Sequence, residues 1–109
     1  MGADATVVFF GIRFALDEDD IESVETKEHP YIEAAKRVQL QTHFGRESES
    51  EPYFLLIGKR LTWIGLEQKQ QDAISREELV EVMDDVQQKL AKMGAREAPR
   101  LHVQIEFDE

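Results

Sequence analysis

Two segments of this chain carry apolar residues on both faces of an extended strand, and two others carry them on one face only. No other feature narrows the possible folds as much. Residues 6–14 read TVVFFGIRF. Val8, Phe10, Ile12 and Phe14 share one face, while Val7 and Phe9 occupy the other with Gly11 and Arg13. Tyr53 to Gly65 read YFLLIGKRLTWIG, the most apolar run in the chain. By contrast, Val38, Leu40, Thr42 and Phe44 alternate with Gln39, Gln41 and His43, and Leu101, Val103, Ile105 and Phe107 alternate with His102, Gln104 and Glu106. A strand buried on both sides belongs inside a sheet, and a cleanly alternating strand has one wet face. The pattern therefore predicts two central strands and two edge strands.

Parity resolves the Tyr53–Gly65 run as a hairpin rather than one thirteen-residue strand. A loop at Gly58-Lys59 suits a tight turn that opens on glycine. Phe54, Leu56, Leu61 and Trp63 then form one apolar face. The Gly58-Lys59-Arg60 triplet is not a phosphate loop, because no second glycine cradles a nucleotide and no helix follows.

Helical signals fill the gaps. Asp17 is a candidate N-cap, followed by acidic Glu18, Asp19 and Asp20, whose charge complements a helix N-terminus. Pro30 interrupts that pattern and starts a second segment with Tyr31, Ile32 and Ala35 inward. Residues 74–93 form the clearest helix. Ser75 and Glu78 make a capping box, Leu79, Val82, Met83, Val86, Leu90 and Met93 line one face, and Gly94 stops it. The polar, acidic stretch 45–52 reads as a loop.

The order is β-α-β-β-(β)-α-β in a single domain spanning residues 1–109. It predicts an α+β fold: a ferredoxin-like split β-α-β sandwich, with two helices on one face of a four- or five-stranded, mainly antiparallel sheet. A chain of 109 residues can bury such a core without disulfides or metals.

Composition limits function. There are 13 Lys and Arg against 23 Asp and Glu, a net charge of −10, which repels nucleic acid and anionic membrane surfaces at long range. Cysteine is absent, so thiol chemistry and thiolate metal sites are excluded, and a cytoplasmic location is expected. No run is long and apolar enough to span a membrane, and residues 1–6 lack a basic segment leading into a signal core. The acidic Asp17–Asp20 group fails the calcium-loop pattern, because Glu22 stands where a glycine is needed. No cofactor or metal is expected. No nucleophile elbow occurs, and His29, His43 and His102 lack metal-ligand spacing. His43 and His102 lie on the polar sides of the two edge strands and are the only polar site candidates.

One layer of helices covers one face of a sheet. Val7 and Phe9, with either Leu55 and Ile57 or Phe54 and Leu56, are therefore expected on an uncovered apolar face, and Trp63 is grouped with them as an interaction surface. The reading is a small cytoplasmic interaction or accessory module that self-associates through this face as a homodimer, with no catalytic constellation. Two alternatives stay open. One is a small enzyme or ligand-binding domain with a site in a dimer cleft, using His43 or His102. The other is an acidic inhibitor that mimics nucleic acid and binds a basic protein.

Overall fold

The computed structural model describes residues 5–46, 53–65 and 69–106. In chain order the elements are β1 (Ala5–Ala15), α1 (Glu18–Glu25), α2 (Pro30–Arg37), β2 (Gln41–Arg46), β3 (Tyr53–Gly65), α3 (Arg76–Met93) and β4 (Arg100–Glu106). The four strands form one open sheet in the order β2-β3-β1-β4, and each neighbouring pair is antiparallel. The strands with apolar residues on both faces, β1 and β3, are central. The alternating strands are the edges. The fold is α+β, with three helices rather than two.

The expected hairpin at Gly58-Lys59 does not form. Tyr53–Gly65 is one strand, paired with β1 from Ala5↔Gly65 to Ala15↔Phe54. The reason lies in a glycine pair. Gly11 stands opposite Gly58, and a Cβ on either would collide with backbone of the other strand, at Ile57 O and Phe10 O respectively. Gly58 is thus a point of close strand approach rather than a turn. The register also shifts, since Val8 pairs with Thr62 but Phe9 pairs with Arg60. Leu61 is the extra residue of a bulge, which flips the side-chain parity of β3. A long strand that changes parity halfway imitates the apolar pattern of a hairpin.

The second strand starts at Gln41, three residues later than its alternation suggests. Val38 caps α2, and Leu40 N–H donates to Ala35 O at 2.9 Å. Gly45 and Arg46 belong to β2 and not to the loop. The rest of that loop, residues 47–52, lies outside the described residues, as do Phe107 and residues 1–4.

Local chemistry sets the helix ends. In α1, the Asp20 carboxylate accepts from Asp17 N–H at 3.2 Å. His29 is buried at the break between α1 and α2. Its Nδ1 accepts from Tyr31 N–H at 3.2 Å and its Nε2 lies 3.4 Å from Asp20 Oδ1. Ser75 Oγ accepts from Glu78 N–H at 3.1 Å to open α3, and Gly94, at φ 81°, closes it in the left-handed conformation that glycine tolerates.

The main core lies between sheet and helices. Phe10, Ile12, Leu55 and Ile57 from the central strands meet Ile32, Ala35, Val86 and Leu90 from α2 and α3. α2 packs on β2 and β3, while α3 packs on β1 and β3. The helix layer therefore centres on β3 and stops short of β4.

Candidate functional site

Register assigns every sequence-derived candidate to a face. Directly opposed residues of an antiparallel pair share a face. Leu55 and Ile57 are completely buried in the helix-side core, so they do not belong to the open face. This corrects their grouping with Val7 and Phe9. Register supplies the reason: Leu55 and Ile57 oppose Phe14 and Ile12 on the helix side, Phe54 and Leu56 oppose Ala15 and Arg13 on the open side, and the bulge brings Trp63 to the open side with Leu61 turned to the helices.

The open face is also less bare than one helix layer implies. Val7, Phe9, Phe54 and Leu56 are all buried, and Phe9, Phe54 and Leu56 form a second small core. Long and aromatic side chains lie across it. The Arg13 guanidinium sits 4.8 Å from the Phe54 ring centre and that of Arg60 5.1 Å from Trp63. The His43 ring lies 6.5 Å from Phe9, 6.3 Å from Phe54 and 6.2 Å from Trp63, edge-on to the last. Gly11 and Gly58 stand opposite each other on this same face, where the two strand backbones approach too closely to admit a side chain. Trp63 Nε1 is buried without a hydrogen-bond partner among the described residues.

His43 and His102 share this face but not a site. His43 is on β2 opposite Leu56, and His102 is on β4 opposite Phe9. β3 and β1 stand between them. That is three inter-strand spacings, roughly 14 Å at about 4.8 Å each. His102 Nε2 is instead 3.1 Å from Gly11 O, a backbone contact. Among the described residues no group of three or more His, Cys, Asp or Glu could hold a metal ion, and no helix is long and apolar enough to cross a membrane.

A shallow cleft of about 760 Å³ lies between α2 and β2, with Lys27, Lys36 and Arg37 at its walls and Ile32 and Leu40 at its floor. Lys36 and Arg37 sit in the last turn of α2, where positive charge complements the helix dipole, so their placement has a sufficient structural cause.

Asp72, in the segment between β3 and α3, has its pKa held below the ordinary 3.8. The Thr62 hydroxyl contributes most, followed by Ala73 N–H and Lys69. Ala73 N–H donates to Asp72 Oδ1 at 2.8 Å, and Lys69 Nζ lies 3.3 Å from Oδ2. This cluster fastens the chain to the end of β3, where Gly65 N–H donates to Lys69 O at 2.9 Å.

The surface that sequence reasoning missed is on β4. Leu101, Val103 and Ile105 oppose Phe10, Val8 and Thr6, so they face the helix side. They nevertheless remain 54%, 64% and 52% exposed. Alternation correctly predicts one apolar side for this strand, but it does not say whether a helix reaches that side. The signal available in sequence was width: a helix layer centred on one central strand leaves one edge bare. β4 is also a sheet edge, so the polar backbone groups along its outer side are unused by this sheet.

No protein-family model, curated protein or solved structure matches this chain.

Proposed function

We propose that this chain is a small protein-interaction module of the ferredoxin-like, split β-α-β type, working in the cytoplasm. The strand order β2-β3-β1-β4 with antiparallel neighbours supports the fold assignment. The absence of cysteine supports the compartment. One observation carries the function: an apolar stripe, Leu101, Val103 and Ile105, lies exposed along an unpaired sheet edge. Edges of this kind pair with other strands, and native proteins usually blunt them with charge, proline or a covering element. Here the middle five residues of the strand carry no Lys, Arg, Asp, Glu or Pro. Strand addition at β4 gives a partner main-chain hydrogen bonds along the edge and a side-chain register against the stripe. The reading keeps self-association as its expectation and moves the surface from the open sheet face to the edge.

The test is site-specific photo-crosslinking in cells, with a photoreactive residue at Val103 and, as control, at Glu77 on exposed α3. A discrete product from position 103 and none from 77 is the expected result. Equal labelling at both positions, or no product at 103, overturns the reading.

A further inference from the structure

We infer that the partner of β4 is a second copy of the chain, with two β4 strands paired antiparallel about a two-fold axis at Val103. This rests on the reading of β4 as a docking edge and names its occupant.

The strand is self-complementary. It reads Arg100-Leu101-His102-Val103-Gln104-Ile105-Glu106. Inverted about Val103, Arg100 falls opposite Glu106 of the second copy, Leu101 opposite Ile105, His102 opposite Gln104, and Val103 opposite itself. Every apolar residue meets an apolar one, each polar residue meets a polar one, and the terminal charges meet their opposites. Opposite-charge and branched apolar cross-strand pairs of this kind stabilise antiparallel sheets. A two-fold contact uses one patch twice, so such matching within one strand is what a symmetric interface needs.

The axis at Val103 pairs the whole strand. A one-residue slip sets apolar against polar along it. A two-residue slip in either direction keeps the faces but pairs five residues instead of seven, and takes Arg100 away from Glu106. The faces also agree in three dimensions. Opposed residues share a face, so the exposed stripe of one copy continues into that of the other on the helix side, and the two sheets become one of eight strands. Charge points the same way. The chain carries −10, yet β4 holds one Arg and one Glu and is neutral with His uncharged. The acidic shell that keeps copies apart is interrupted at this edge.

Seven residues of edge pairing make a small interface beside the usual ~1,600 Å², so the dimer is reversible, with a Kd on the order of micromolar.

Sedimentation equilibrium over a concentration series is the decisive experiment. The wild-type chain should shift from one to two chain masses. Val103→Lys puts two ammonium groups at the axis and should weaken the dimer by more than about tenfold. Arg100→Glu and Glu106→Arg alone should each weaken it about three- to tenfold, and the double variant should restore it to within about threefold. Val103 and Arg100 are exposed, so unchanged thermal melting of each variant at low concentration verifies the fold. A wild-type chain that stays monomeric at hundreds of micromolar overturns the second-copy inference. In that case a product from Val103 with a mass other than twice the chain still supports the docking edge, and no product removes both. A dimer indifferent to Val103→Lys overturns the β4 interface. A double variant that fails to recover overturns the register.

Discussion

The two edge strands, β2 and β4, carry the same kind of sequence and meet different fates. Each alternates apolar and polar residues, and each pairs with one central strand. On β2 the apolar side is covered. Phe44 packs into the helix-side core and its ring stacks on Tyr53 at 5.1 Å, while α2 lies above the strand. On β4 the equivalent side is open along Leu101, Val103 and Ile105. The difference comes from the connections. The first crossover, through α1 and α2, lays α2 over β2 and β3, and the second lays α3 over β1 and β3. Both helices meet above β3, so coverage is displaced to one side. Alternation therefore records that one face avoids water, and leaves open whether the cover comes from the same chain.

The largest expected effect sharpens the contrast between centre and edge. Ile57→Ala, at a fully buried site under the helices, should cost about 2–5 kcal/mol in denaturant unfolding. Phe44→Ala compared with Ile105→Ala tests the edges themselves. The first should lose about 2 kcal/mol and the second less than about 0.5 kcal/mol, measured at concentrations where the chain is monomeric. Equal losses would break the comparison, because they would mean that β4 is covered within one chain.

Gly11→Ala probes the glycine pair and should cost more than about 1 kcal/mol, since a methyl group there meets Ile57 O. A neutral result would sink the close-approach account of why β3 runs straight through Gly58.

The smallest effect is a pH dependence at Asp72. Its folded pKa lies below its ordinary value, so the ionised carboxylate stabilises the fold above about pH 4, and that contribution is lost as pH falls through the folded pKa. Asp72→Asn should lower the unfolding midpoint slightly at pH 7, and wild type and variant should converge as pH falls through the folded pKa of Asp72. A difference that persists or grows in acid would contradict the assignment.

Much of the architecture could be read from particular residues. Two-sided apolar content marked β1 and β3 as central, and Ser75, Glu78 and Gly94 bounded α3 to within two residues. Each of these signals is local, set by side-chain period or by capping hydrogen bonds. The candidate site was less legible. His43 and His102 lie on opposite edge strands, and of the two pairs considered for the open face, Phe54 and Leu56 lie there while Leu55 and Ile57 lie under the helices. Counting parity outward from Gly58 sets Leu61 beside Phe54, Leu56 and Trp63, and its turn to the helix side as the extra residue of a bulge is visible only in the pairing with β1.

The sequence by itself determined which segments are strands and helices, which strands are central and that β4 has one apolar side. Those follow from periodicity, which the backbone geometry of each element imposes on its own residues. Only the tertiary structure decided that Tyr53–Gly65 is a single strand, that Phe54, Leu56 and Trp63 share the open face, and that the helices leave β4 bare. These outcomes depend on contacts between residues far apart in the chain, where the Gly11–Gly58 approach and the position of the helix layer over β3 are set.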